Sequence, residues 1–216
     1  MGEEINRRDA ESAEETQRVF ERARIGEDTP VWETVESEEV ADCRVFKVRR
    51  DARRHEHDNK IGDFYVLEMP DWINVIPLTS KMEVVMIEQH RHGIDGVTLE
   101  IPGGMVDADE SPMTAALREL YEETGYGSED CISLGSTHPN PAIQDNLIHT
   151  FLVRDALLSD KSTARQHQDS SEHTTVRLVP LADVGGLVRE GVITHSLVVV
   201  AFHLLMLHLE TEDELL

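Results

Sequence analysis

GMVDADESPMTAALRELYEETGY, running from Gly104 to Tyr126, contains a helix with both of its ends written into it. Ser111-Pro112 predicts the start. Serine is a favoured N-cap, and proline at the first helical position gives up only an N–H that would be unbonded anyway. Gly125 predicts the stop, because a helix often ends on a residue that can take positive φ. Met113, Ala116, Leu117, Leu120 and Thr124 recur at helical spacing and predict the buried stripe, while Ala115 is placed on the carboxylate side, where its small side chain leaves room. Glu119, Glu122 and Glu123 stand at i, i+3 and i+4, so they share another face, and Arg118 is placed to pair with Glu122. A solvated acidic face is the ordinary explanation of such a run. Here three like charges repel with one cation close along the helix, and a Gly103-Gly104 turn precedes them. A hard-cation site explains both features, since carboxylates and loop carbonyls together supply oxygen ligands.

Composition bounds the partners. The chain has 216 residues, with 43 acidic side chains against 20 lysines and arginines, for a formal charge of −23. That length suits one domain, with a small appendage allowed. Such a surface repels nucleic acid and anionic membranes, and it also repels a phosphorylated substrate unless a divalent cation screens the site. Cys43 and Cys131 have no metal-binding or redox spacing, which fits a reducing cytoplasm. Met1 to Arg24 is charged throughout and does not read as a signal peptide. The most apolar stretch, Ile193 to Leu209, is interrupted by His195, Ser196, His203 and His208 and predicts a core helix rather than a membrane span. The histidines, including His55/His57 and His90/His92, lack partners at zinc-site spacing and read as ordinary surface or core residues.

Along the chain, residues 1–29 read as a charged N-terminal segment, helical or partly disordered, and residues 30–212 as the main domain. Arg44–Arg50 and Asp63–Met69 predict paired strands. Ile73–Thr79, Glu83–Gln89, Thr98–Ile101, Cys131–Ser136, Leu147–Val153 and Thr174–Val179 predict the remaining strands. Leu181–Glu190 and Ile193–Glu210 predict two closing helices separated by Gly191. This order implies a mixed sheet covered on both faces.

The opening stretch also resembles the signature of the Nudix hydrolases: Gly104, five residues, Glu110, seven residues, Arg118-Glu119-Leu120, one residue, Glu122-Glu123, one residue, Gly125-Tyr126. The resemblance implies an α/β/α sandwich with a mixed β-sheet and an N-terminal β-rich part, and cleavage of a nucleoside diphosphate derivative. By position it implies Glu119 and Glu123 as metal ligands, with Glu122 close behind and the Gly103 carbonyl a further ligand. Glu110 and Arg118 then hold the loop against the helix. Flanking segments resemble the ADP-ribose pyrophosphatase branch. Gln89-His90-Arg91 is similar to its Gln-x-Arg strand end, Glu100-Ile101-Pro102-Gly103-Gly104 to its Glu-x-Pro-Ala-Gly lead-in, and Pro141 stands about where that branch carries a marker proline.

The implied reaction is Mg²⁺-dependent, with Mn²⁺ an alternative, and converts ADP-ribose to AMP and ribose 5-phosphate. Arg91, Glu100, Gly104 and Pro141 are the expected substrate contacts, Arg91 at a phosphate and Glu100 at ribose hydroxyls or a water. An aromatic such as Trp32, Phe64 or Trp72 is available to stack on the base. Glu122, Glu123 and Glu172, the last on a loop before the strand at Val176, are candidates to take the proton. Thr175 stands where such proteins usually place a second acid. Rival readings are a hydrolase of another nucleotide sugar such as GDP-mannose, and a nucleotide-sensing module without catalysis. The resemblance further implies a homodimer whose interface includes residues 30–70, which carry Trp32, Phe46, Phe64 and Tyr65.

Overall fold

The structure is a computed structural model that describes residues 29–159 and 173–213. The chain forms two compact units. Of the described residues, one unit takes residues 29–42 together with Val48–Val66, and the other takes Cys43–Lys47 and those from Leu67 onward. Residues 1–28 of the expected N-terminal segment lie outside the described residues.

The first unit is built on a three-stranded sheet in the order β1 (Trp32–Asp42), β2 (Lys47–His55), β3 (Ile61–Glu68). The expected strand at 44–50 starts three residues later and runs longer, and β1 was not anticipated. Its sequence WETVESEEVAD is exposed along its whole length, so no buried face imposes an apolar alternation that could be read in advance. The centre of this sheet is polar. Asp51 is buried and accepts from Ser37 Oγ at 2.7 Å, Arg53 Nη2 at 2.7 Å and Arg49 Nε at 2.9 Å. These bonds, the one from Ser37 foremost, hold its carboxyl well below the usual carboxylate range despite burial. Trp32 meets Phe64 edge-on with centroids 4.9 Å apart.

The second unit is the layered one. Its mixed sheet runs β7 (Gly103–Met105), β4 (Trp72–Pro77), β10 (Ile148–Val153), β9 (Cys131–Thr137). β4 and β10 are parallel, with Asn74 opposite Thr150, and the other pairs are antiparallel. Parallel strands of this kind are buried on both faces and read as continuous apolar runs, as in WINVIP and IHTFLV. A second, antiparallel sheet runs β12 (Thr174–Pro180), β5 (Glu83–Arg91), β6 (Gly96–Glu100). Two short strands, β8 (Tyr126–Gly127) and β11 (Leu157–Leu158), pair with each other.

Three helices are described in this unit: α1 (Pro112–Thr124), α2 (Leu181–Arg189) and α3 (Ser196–Asp213). α1 has the predicted ends. Ser111 Oγ accepts from the Thr114 N–H, and Gly125 takes φ 74°. Ala115, Ala116 and Leu120 pack on Ile73, Val75, Phe151 and Val153. Of the expected stripe, Ala116, Leu120 and Thr124 are buried and Leu117 is half-buried, whereas Met113 is exposed and Ala115 and Glu123 join the buried face. The opposite core joins Ile76, Met86 and Leu152 to Val198, Ala201, Phe202 and Leu205 of α3 and to Val184 of α2. Truncating a fully buried leucine such as Leu120 to alanine removes about 2–5 kcal/mol. Along β4, therefore, Ile73 and Val75 face α1, and Ile76 faces α3.

Cys43 and Cys131 are both free, the first exposed and the second half-buried. Burial, with the nearby Asp130 charge, pushes the Cys131 thiol up to about 11. Among the described residues no helix is long and apolar enough to cross a membrane.

Candidate active site

The Gly103–Met105 strand lies between β4 and α1, and both glycines are needed there. A Cβ on Gly103 would stand 2.5 Å from the Ile73 carbonyl oxygen, and one on Gly104 would overlap the Glu119 carboxylate. The Gly103 N–H donates to Glu123 Oε2 at 2.9 Å. Thr174 Oγ1 donates to the Glu123 carbonyl at 3.0 Å, which ties the start of β12 to the same turn of helix.

Arg118 organises the remaining acids. Its Nη2 donates to Glu110 Oε1 at 2.5 Å and to the Met105 carbonyl at 3.2 Å. Its Nη1 donates to Glu119 Oε1 at 2.9 Å and to Glu122 Oε2 at 3.2 Å. Glu110 also accepts from the Asp107 N–H at 3.0 Å, so it bridges the loop and the helix. The hydrogen bond from Arg118 is the main reason the Glu110 carboxyl is held below its ordinary range. Reciprocally, the Glu110 bond foremost and then Glu119 raise the guanidinium above its already high value.

Among the described residues no three carboxylate, imidazole or thiolate groups converge on one point. Glu119 and Glu122 are turned onto Arg118, and Glu123 onto the Gly103 N–H. The donor set is nonetheless oxygen-only and sits against a backbone that lacks Cβ atoms, which suits a hard divalent cation.

Glu119, Glu122, Glu123, Gly103 and Gly104 line a cavity of about 900 Å³. Its other wall carries Arg91, Glu100 and His195. Glu100 is 2% exposed. It receives Arg91 Nε at 2.8 Å and Nη2 at 2.7 Å, His195 Nδ1 lies 2.7 Å away, and Thr98 Oγ1 donates to it as well. Burial pushes this carboxyl up. The bonds from Arg91, His195 and Thr98 outweigh burial and hold it well below the usual range.

Arg91 gives its Nε and Nη2 to Glu100, and both Glu100 oxygens accept from within the protein. A buried carboxylate is stable only when matched in this way. Pro141 is exposed and is not among the residues lining the cavity. It opens the turn after Asn140, whose carbonyl accepts from Ile143 and Gln144 N–H groups at 3.1 and 2.9 Å. Glu172 lies outside the described residues. Trp72 lines the cavity, whereas Trp32 and Phe64 belong to the other unit.

Sequence reading missed Asn74, Thr98, Thr174 and His195, all of which line the cavity. His195 stands immediately before α3, and nothing in its neighbours Ile193-Thr194 and Ser196-Leu197 marks it. Asn74 did carry a signal, as a lone amide inside the apolar run WINVIP.

The NUDIX domain profile matches residues 70–199. The methanol dehydrogenase activator of Bacillus methanolicus is 30% identical over 174 residues, covering 81% of this chain and 92% of that protein. The ADP-ribose pyrophosphatase of Mycobacterium tuberculosis is 25% identical over 169 residues, covering 78% and 80%. That of Bacillus subtilis is 28% identical over 123 residues, covering 57% and 65%. A solved structure of an ADP compounds hydrolase superposes with a TM-score of 0.73 at 21% identity, over 86% of this chain and 96% of that one, which shows a shared fold.

Proposed function

This chain belongs to the NUDIX family and is a Nudix hydrolase, and from that premise we propose that it cleaves the pyrophosphate bond of a nucleoside diphosphate sugar, with ADP-ribose giving AMP and ribose 5-phosphate. The observation that carries the reading is the placement of Glu119, Glu122 and Glu123 beside the Cβ-free Gly103–Gly104 strand, on the wall of one large cavity. The names of the Bacillus subtilis and Mycobacterium tuberculosis relatives support the choice of substrate.

Glu119, Glu122, Glu123 and the Gly103 carbonyl would hold Mg²⁺ or Mn²⁺, which when bound neutralises the diphosphate and makes a coordinated water more acidic. Glu110 works through Arg118. By fixing the guanidinium it keeps the helix acids and the loop in one arrangement, so that they need little reorganisation when charge develops on the substrate. Gly104 leaves the Glu119 carboxylate its space. The proton from the attacking water goes to Glu122, Glu123 or Glu172, each a carboxylate able to act as general base. Arg91 and Glu100 together shape the far wall.

We further infer a homodimer. Trp32, Val35, Val40, Phe64 and Tyr65 are exposed in the β1–β3 sheet, and exposed aromatics of this kind favour an interface. Two free cysteines support a cytoplasmic setting.

The test is a panel of nucleoside diphosphate derivatives assayed with Mg²⁺ or Mn²⁺, with products identified. The expected outcome is ADP-ribose among the best substrates, yielding AMP. A kcat/KM well above it for GDP-mannose or diadenosine polyphosphates overturns the choice of substrate. Nucleotide binding without turnover overturns the enzymatic reading in favour of a sensor.

A further inference from the structure

Two residues that line the cavity each bury a side-chain oxygen with no protein partner among the described residues, Asn74 Oδ1 and Gln89 Oε1. Asn74 is 5% exposed and Gln89 8%. An unbonded buried polar atom is rare, and leaving one unsatisfied costs about 1–3 kcal/mol. The cost at Asn74 is avoidable. Its strand neighbours Ile73, Val75 and Ile76 are core residues, and an apolar side chain would continue the α3-facing side that Ile76 occupies.

Half of the amide has a structural task, since Asn74 Nδ2 donates to the Leu197 carbonyl at 3.2 Å and so joins β4 to the first turn of α3. That bond also fixes the orientation. A carbonyl can only accept, so the NH₂ must face Leu197 and the oxygen must remain on the other side. Gln89, on the neighbouring sheet, also has a side-chain oxygen without a protein partner, while its backbone carbonyl takes Thr98 Oγ1 at 3.3 Å.

We infer that Asn74 and Gln89 form a hydroxyl-recognising subsite, specific for one of the two sugars bonded directly to the diphosphate. This rests on the hydrolase reading above and deepens it. Two acceptor oxygens attract a donor and repel an anion, so a phosphate is excluded and a neutral hydroxyl fits. Position selects the sugar over the base. Asn74 is the cross-strand partner of Gly103, and the Gly103 N–H holds Glu123. The subsite therefore adjoins the carboxylates that grip the diphosphate, and the group within reach is the one a bond or two from phosphorus. Glu100 cannot replace these acceptors, because Arg91, Thr98 and His195 occupy it.

The test is calorimetric titration of the full chain in Ca²⁺ with four probes: ADP-ribose, an ADP alkyl ester that lacks the distal sugar, a dideoxy analogue that lacks the hydroxyls of the nucleoside ribose, and IDP-ribose, in which only the base differs. Wild type is expected to bind ADP-ribose about 10-fold or more tightly than one of the first two analogues, in line with one or two hydrogen bonds to an otherwise orphaned acceptor. The analogue that loses affinity identifies which sugar is read. In Asn74→Leu that preference should shrink to less than about 3-fold. Gln89→Met should reduce it independently, and it carries the test should Asn74→Leu fail to fold.

A preference unchanged in a folded variant overturns the inference, as does wild-type indifference to both sugars. Loss of discrimination only against IDP-ribose overturns it in favour of base recognition. Binding preference without ADP-ribose hydrolysis in Mg²⁺ sinks the hydrolase reading alone, and no ADP-ribose binding at all sinks both.

Discussion

The Gly103 N–H and the Glu123 carboxylate, 2.9 Å apart, join a three-residue strand to the last turn of α1. A carboxylate beside a helix C-terminus is disfavoured by the helix dipole, and Glu123 is also buried. The backbone donor offsets both penalties and fixes one oxygen in place.

Replacing Glu123 or Glu119 with glutamine keeps the size and removes the charge. Turnover with Mg²⁺ is expected to fall by about 10²–10³-fold or more, with the circular dichroism spectrum unchanged. Near wild-type kcat for Glu123→Gln means that the helix acids have been given the wrong role.

Gly104→Ala tests the cradle without touching a charge. The new Cβ would coincide with the Glu119 carboxylate, which is the far end of a side chain able to swing away. Stability should therefore drop modestly, by about 1–3 kcal/mol or less, while kcat falls about 10²-fold as a positioned group is displaced. Thermal unfolding and steady-state kinetics on one preparation separate the two effects. A variant as active as wild type removes Glu119 from the site.

Glu100 predicts an acid limb in stability. Its carboxyl is held below the ordinary 4.5 of a free glutamate. The folded state therefore binds its proton less readily than the unfolded chain does. The stabilisation is complete above about pH 4.5 and is lost as pH falls toward the depressed folded value. Glu100→Gln leaves Arg91 and His195 without their anion and should cost about 3 kcal/mol at neutral pH. The figure is discounted from the upper range because Arg91 is 43% exposed. Urea midpoints between pH 3 and 7 should slope less steeply for the variant. Parallel curves would show that Glu100 contributes nothing to the limb.

Light scattering at micromolar concentration should report about twice the 24.4 kDa chain mass. A fully active monomer removes the dimer.

The helix that carries the acids was legible because its signals are local. Ser111-Pro112 and Gly125 set its ends by backbone chemistry alone, and both were found in those roles. The apolar strands were legible for a related reason, since burial on both faces leaves an uninterrupted run. What escaped was set by packing between distant segments. Met113 and Ala115 exchange places because the sheet beneath them, not the helix, chooses the contact line. His195 and Glu100 are 95 residues apart in sequence, and no local pattern announces their bond. β1 escaped for the opposite reason, because a strand exposed on both faces imposes no pattern at all.

The contrast between the two cysteines has a practical consequence. At neutral pH a thiol pushed up to about 11 is almost wholly protonated, and the thiolate is the reacting species. Cys43 is exposed. A maleimide dye added briefly near pH 7 should therefore label Cys43 in preference to Cys131, giving a native protein with one reporter per chain and no engineered residue. Energy transfer between donor- and acceptor-labelled chains would then follow subunit exchange directly.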